Sequence, residues 1–222
     1  FLSQVSHEAR TPMTAIRAFS EILLDEDDLE GASKQRFIST IHAESLRLTS
    51  LLDEILDLSA LERGERTWEN RRINAEDALD QAIRICDALA RQNNTKMSSS
   101  DRVEQAIVIA DPDRLSQVMI NLVTNAIKYN GASSPEVEIR SRIEDDTYIV
   151  EVADNGVGIP EQDRLHIFDK FYRGRVGELP SHVGAGLGLP ISREIISRMN
   201  GSLELVARTE GACFRVTLPL VD

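Results

Sequence analysis

The spacing of apolar positions separates the first 65 residues from the rest of the chain. Leu2, Val5, Ala9, Ile16, Phe19 and Leu23 follow one another at three, four, seven, three and four residues. This is the a/d rhythm of a long helix and predicts one over residues 1 to about 25. A second seam, Ile41, Leu48, Leu51, Ile55 and Leu58, lies within an apolar set running from Phe37 to Leu61. It predicts a helix from about Ser33 to Arg63. The acidic residues 25–33, with Gly31 among them, read as the loop between the two. Two long helices on a short loop form an antiparallel hairpin. A hairpin alone has too little interior to cover two wide stripes, so pairing with a second copy into a four-helix bundle is expected. The other way to cover them is packing against a different part of a longer chain.

Beyond Gly64 the rhythm changes. Residues 64–72 are polar and read as a linker containing the only tryptophan, Trp68. Asn74 suits the cap of a helix from Ala75, with Leu79, Ala82, Ile83, Cys86, Leu89 and Ala90 on one face. Residues 93–101 read as a loop and 103–109 as a strand. Asp111 as cap and Pro112 at the first position open a helix to about Tyr129. Residues 136–143 and 148–152 form a predicted hairpin turning at Asp145-Asp146, and a glycine-interrupted stretch follows. A helix over 190–199 and strands over 202–206 and 213–218, turning near Glu210-Gly211, complete the pattern. The expected architecture is two domains: an all-α hairpin over residues 1–65, a linker over 66–74, and an α/β sandwich of one mixed sheet and three helices over 75–222.

Charge and composition narrow the partners. The net charge of -12 and a sequence pI near 4.9 argue against a nucleic-acid partner, which needs clustered Lys and Arg. Cys86 and Cys213 stand far apart, so a disulfide scaffold and a zinc site are not expected, and a reducing cytosol fits. No apolar run approaches the roughly 18 residues of a membrane span. The chain starts at Phe1 with a helical seam already running, and so reads as a cytoplasmic piece of a longer protein.

Four features carry candidate chemistry. With Leu2 at heptad position a, His7 falls at f, opposite the seam and beside Ser3, Arg10, Thr14 and Arg17, which predicts a water-facing imidazole. Pro12, one turn on, lacks an N–H and should free the Glu8 carbonyl and bend the helix. Asn121, Asn125 and Lys128 stand at i, i+4 and i+7, a face suited to hydrated Mg²⁺ holding phosphates or simply to water. Asp154-Asn155-Gly156-Val157-Gly158 follows a predicted strand, placing a carboxylate at the strand's end and two glycines that allow positive φ or close approach. Gly184-Ala185-Gly186-Leu187-Gly188-Leu189 opens a helix, where N–H groups favour an anion. It lacks the setting of a dinucleotide fingerprint and the Gly-Lys-Ser/Thr of a Walker loop.

In this order, with Ile167-Phe168-Asp169-Lys170-Phe171-Tyr172-Arg173 between the two glycine motifs, the chain resembles the histidine kinase core of two-component signalling. The resemblance spans nearly the whole sequence. It implies a HisKA-type dimerisation and phosphoacceptor hairpin and a Bergerat-type ATP-binding domain shared with gyrase, Hsp90 and MutL. On that resemblance His7 is the phosphoacceptor, Glu8 draws a proton from its Nδ1, and Thr11 positions water for hydrolysis of the regulator's aspartyl phosphate. Arg10 and Pro12 complete the box, with Ala9 and Met13 where leucines are common. Asn125 is the main Mg²⁺ ligand and Asn121 its support, Lys128 reaches phosphate, and Tyr129 packs on adenine. Asp154 accepts from the adenine amine, Gly156 and Gly158 let the loop pass close to nucleotide, and Arg173 meets the γ-phosphate. Gly184, Gly186 and Gly188 serve the phosphates, with residues 169–186 as a lid made mobile by Gly174, Gly177 and Gly184. The implied cofactors are ATP and Mg²⁺. The implied partners are a second copy of the chain and the receiver domain of a response regulator, with no nucleic acid and no membrane contact within this fragment. Two other classes compete: a pseudokinase that only docks partners, and an ATPase clamp of the gyrase or Hsp90 type. The clamp lacks the histidine hairpin and carries a catalytic Glu where Asn121 stands. His42 is expected to be structural, and His166 and His182 to face solvent.

Overall fold

The fold is that of a computed structural model, which describes residues 2–25, 30–64, 67–174 and 185–221. The chain divides into two compact units, Phe1–Arg63 and Gly64–Asp222.

The first unit is the helical hairpin. Helix α1 (Leu2–Asp25) continues through Pro12, and α2 (Gly31–Arg63) begins two residues before the expected start. The rings of Phe19 and Phe37 stack across the pair with centroids 5.2 Å apart. Leu51, Leu58 and Leu61 of α2 are buried, whereas Val5, Ala9, Ile16, Phe19 and Leu23 of α1 are only half-buried. Met13, Leu24, Ile38, Leu46, Leu52 and Leu56 are exposed, Leu24 by 81% and Leu56 by 66%. One hairpin thus leaves much of its apolar surface in water, as the width of its stripes requires.

The second unit is a two-layer sandwich. Strand β1 (Arg71–Asn74) leads to α3 (Ala75–Gln92), β2 (Lys96–Asp101), β3 (Ile107–Ala110) and α4 (Pro112–Lys128). Then come β4 (Glu136–Glu144), β5 (Thr147–Asp154), the single turn α5 (Glu161–Arg164), α6 (Gly188–Arg198), β6 (Ser202–Val206) and β7 (Cys213–Pro219). The main sheet has the order β2-β4-β5-β7-β6, with only the β2–β4 pair parallel. The inward residues Val137, Ile139, Val150, Val152, Phe214 and Val216 meet Leu79, Leu115, Met119, Leu122, Ile195 and Ile196 of the helices in one core. On the outer face Glu151 lies directly opposite Arg215 and accepts from its Nε at 2.8 Å.

Local signals fix several elements. Asn74 caps α3 and also accepts from the Ala106 N–H at 2.9 Å, and Asp111 caps α4 through the N–H groups of Asp113 and Arg114. Asp145 and Asp146 both have positive φ, which makes the β4–β5 connection the type of turn whose twist matches the strands.

Two readings change. Residues 96–101, read as loop, form an edge strand, because the polar run Lys-Met-Ser-Ser-Ser-Asp needs only one partner, β4. Residues 71–74, read as linker, pair with β3 in a second, two-stranded sheet, which shortens the expected 103–109 strand to 107–110. The displaced Arg102 turns inward instead. It donates from Nε to Glu76 at 2.7 Å and from Nη2 to Asp80 at 2.7 Å, while the Tyr148 hydroxyl donates to Glu76 at 2.6 Å. Glu76 is 3% exposed, so these bonds compensate its burial.

Candidate functional site

His7 lies on the outward side of α1, its side chain 76% exposed, with Nδ1 3.8 Å from Oε1 of Glu8. Thr11 is exposed one turn further, and Pro12 between this turn and the next is buried. The imidazole is therefore accessible, with a carboxylate beside one nitrogen and the other directed away from it.

In the second unit the α4 face is assembled as its spacing predicts. Asn125 donates from Nδ2 to Oδ1 of Asn121 at 3.5 Å, and Asn121 donates from its own Nδ2 to the Ser192 hydroxyl of α6 at 2.9 Å. Gly188, the first residue of α6, sits against this pair. A Cβ placed on it would be 2.5 Å from the Asn121 Oδ1. The glycine therefore keeps open the space between an amide oxygen and the start of a helix, where anions are favoured. Among the described residues no group of three or more His, Cys, Asp or Glu side chains is placed to hold a metal ion. The amide oxygens of Asn121 and Asn125 fit Mg²⁺, which keeps several waters and takes its remaining ligands from substrate phosphates. Lys128 is exposed in the last turn of α4, and Tyr129, its C-cap, is 40% exposed.

Asp154 ends β5 and is held by two N–H donors on one oxygen. Its Oδ1 accepts from Gly156 at 2.9 Å and from Ala212 at 3.2 Å. Burial pushes its carboxyl above the ordinary 3.8, against the pull of these two N–H groups and of the Arg208 charge. The glycines around it are explained by close backbone contact within the protein. A Cβ on Gly156 would lie 1.9 Å from the Asn130 carbonyl oxygen, and one on Gly211 would lie 1.8 Å from that of Asp154. Gly158 has φ +71°. Asn130, 1% exposed, is a latch that sequence reasoning missed: its Nδ2 donates to the Glu136 carbonyl and its own carbonyl accepts from the Val157 N–H. Gly211 was legible only as a turn, and its contact with Asp154 was not.

The aromatic motif lies at a crossing of two chain segments. Phe168 meets Phe214 edge to face at 6.3 Å, beneath the Arg193 guanidinium at 4.8 Å. The Phe171 N–H donates to the Gly186 carbonyl at 3.0 Å, and Arg173 is exposed just beyond. His166 faces solvent and its Nδ1 is 2.8 Å from Asp169. His42, expected to be structural, is exposed on α2. Residues 175–184, which include Gly177, His182 and Gly184, lie outside the described residues.

Two family models match the chain. That of the histidine kinase-, DNA gyrase B- and HSP90-like ATPase covers residues 110–222, and that of the His Kinase A phospho-acceptor domain covers residues 1–64. Among curated relatives, the sensor protein KdpD of Escherichia coli is 33% identical over 98% of this chain and 24% of its own length. The sensor histidine kinase MtrB of Mycobacterium bovis is 32% identical over the whole of this chain and 39% of its own. The chain thus spans about a quarter to two fifths of the length of these relatives. Among solved structures, the histidine kinase ThkA in complex with response regulator protein TrrA superimposes with a TM-score of 0.79 at 28% identity, over 99% of this chain and 61% of that one.

Proposed function

The chain belongs to the histidine kinase family, and on that premise we propose that it moves the γ-phosphoryl group of Mg-ATP onto His7 and from there to an aspartate of a response-regulator receiver domain. The observation that carries the reading is the presence in one chain of a water-facing imidazole on a phospho-acceptor hairpin and an ATPase fold in which Asn121 and Asn125 share one helix face and Asp154 accepts two N–H groups. The relative solved with its response regulator supports the partner assignment.

The roles are divided between the two units. Two N–H donors converge on Oδ1 of Asp154, which orients the carboxylate and leaves Oδ2 for the exocyclic amine of adenine. Asn125 and Asn121 would hold Mg²⁺ through their amide oxygens, and the ion would supply positive charge to offset that of the phosphates. Gly186 and Gly188 leave backbone N–H groups at the start of α6 clear for phosphate oxygens, a task shared with Gly184, Lys128 and Arg173. Tyr129 flanks the base, and Gly156 and Gly158 shape the loop beside it. On α1, Glu8 takes the Nδ1 proton, leaving the His7 Nε2 lone pair for in-line attack. Thr11, one turn on, orients water for hydrolysis of the regulator's aspartyl phosphate. The uncovered apolar surface of the hairpin is closed by a second copy in a four-helix bundle. No described helix is long and apolar enough to cross a membrane.

Two variants test the division of labour, using ATP radiolabelled on its γ-phosphate. His7→Gln should bind Mg-ATP and take up no acid-labile label, and Asn125→Ala should lose Mg-dependent binding and label together. Label persisting on His7→Gln removes the phosphoacceptor assignment, and unchanged nucleotide affinity in Asn125→Ala removes its metal role.

A further inference from the structure

Two costly features meet in the stem from which residue 173 leads on, and none of the roles above uses them. Asp163 of α5 is 3% exposed, yet only one of its carboxylate oxygens is satisfied. Oδ1 accepts from the Tyr172 hydroxyl at 2.7 Å, and Oδ2 is buried with no hydrogen-bond partner among the described residues. A buried carboxylate with half its acceptor capacity unmet is expensive. Eight residues on, Phe171 adopts φ +63°, a left-handed conformation unfavourable for a bulky side chain. Such strain persists only where the surroundings over-determine it. Here they do so from both sides. The Tyr172 ring packs 5.4 Å from that of His166 and its hydroxyl is tied to Asp163, while the Phe171 N–H is tied to the Gly186 carbonyl. The segments are so close that a Cβ on Gly186, itself at φ +71°, would lie 2.6 Å from the Tyr172 carbonyl oxygen. Two residues beyond Gly186, Gly188 abuts Asn121.

We propose that the Asp163–Tyr172 pair is a positioning device for the phosphate end of the nucleotide: it fixes the 171–173 backbone against Gly186 before ATP arrives. The inference rests on the nucleotide-binding reading above. Arg173 follows the clamped tyrosine directly, and the Gly186–Gly188 turn is the other arm of the crossing, so releasing the clamp lets two γ-phosphate contacts drift while the adenine end at Asp154 stays in place. Asp163 and Tyr172 touch no reacting atom. They act by keeping the binding-competent backbone populated, so that losing the clamp raises the apparent dissociation constant by the reciprocal of the fraction that stays competent.

The test compares Tyr172→Phe, which deletes only a hydroxyl, with Asp163→Leu, Asp163→Asn and the double variant Tyr172→Phe/Asp163→Leu. The readouts are ATP and ADP affinity by displacement of a fluorescent nucleotide, and the KM and kcat of autophosphorylation. Tyr172→Phe and Asp163→Leu should each weaken Mg-ATP binding by about tenfold, as expected for a lost bond to a charged acceptor. ADP affinity should change less than about twofold, because ADP lacks the γ-phosphate the stem serves. KM should rise more than kcat falls. Asp163→Asn keeps an acceptor for the hydroxyl and should stay near wild type, and the double variant should be no worse than the singles. Unchanged ATP affinity in Tyr172→Phe, equal losses for ATP and ADP, or additive losses in the double variant would overturn the inference. If the wild-type chain binds no Mg-ATP, the nucleotide reading itself fails and takes this one with it. If wild type binds and the variants match it, only this inference fails.

Discussion

Replacing Gly156 by alanine tests whether the Asp154 loop is held by backbone packing. The φ of Gly156 lies outside the left-handed region, so alanine meets no left-handed strain there. The obstacle is steric: the new Cβ would sit 1.9 Å from the Asn130 carbonyl oxygen and 2.7 Å from its Cα. Both belong to backbone, and no side chain can swing aside. The gap between 1.9 Å and ordinary contact at 3.4 Å requires a displacement of 1.5 Å. That movement pulls apart two hydrogen bonds, Gly156 N–H to Asp154 at 2.9 Å and Val157 N–H to Asn130 at 3.0 Å. The first, to a carboxylate, contributes about 1.5–3 kcal/mol and the second about 1 kcal/mol. The expected loss of roughly 2.5–4 kcal/mol lowers Tm by roughly 5–15 °C for a domain of this size. It also frees Asp154 to rotate, weakening ADP binding roughly 10- to 100-fold. The control is Gly131→Ala. There φ is +68°, but the new Cβ meets only the Val157 Cγ1 at an ordinary 3.5 Å. Left-handed strain alone, about 1–2 kcal/mol, should lower Tm modestly and leave ADP affinity unchanged. Calorimetry and ADP titration read both quantities. A Gly156→Ala chain with wild-type Tm and ADP affinity would refute the packing argument.

Burial of Asp154 raises its native pKa above the unfolded value, so its ionisation costs stability. Its favourable contribution is complete below the unfolded value and is lost as pH rises through the native one. Asp154→Asn, whose amide oxygen still accepts from Gly156 and Ala212, should therefore be more thermostable than wild type at neutral pH, by a margin that vanishes on acidification, while binding adenine nucleotides more weakly. Tm curves that run parallel across pH would rule this out. Tyr148→Phe removes the hydroxyl that donates to buried Glu76 at 2.6 Å. A loss of about 1.5–3 kcal/mol is expected, seen as a lower denaturation midpoint, with nucleotide affinity intact because the pair packs away from the Asp154 end of β5. An unchanged midpoint would show that Glu76 is satisfied by Arg102 alone.

What was legible in the sequence was local. Asn74, Asp111-Pro112 and Asp145-Asp146 act on the N–H groups or dihedrals of their own neighbours, and each starts or turns an element where expected. The heptad placed His7 outward because helical geometry alone decides that. The α4 face carrying Asn121 and Asn125 followed from the same geometry. The missed features are non-local. Residues 96–101 and 71–74 carry no apolar alternation, and become strands only because β4 and β3 offer edges to pair with. Gly156 is open to a ligand-approach reading in the sequence, and Gly211 to that of a turn alone; the Asn130 and Asp154 carbonyls that fill the space beside them come from distant segments. Asp163 and Tyr172 are nine residues apart across a turn of no regular period, so no pattern joins them.

The central claim is that a water-facing histidine on the hairpin receives phosphate from the nucleotide held by the second unit. It is tested most directly by locating the phosphoryl group after incubation with Mg-ATP, by mass spectrometry of peptides cut and fragmented at neutral to alkaline pH, where phosphohistidine survives. The expected result is one modified residue, His7, absent from a chain carrying Asn125→Ala. A phosphoryl group on His42, His166, a serine or a threonine, with His7 unmodified, would contradict it.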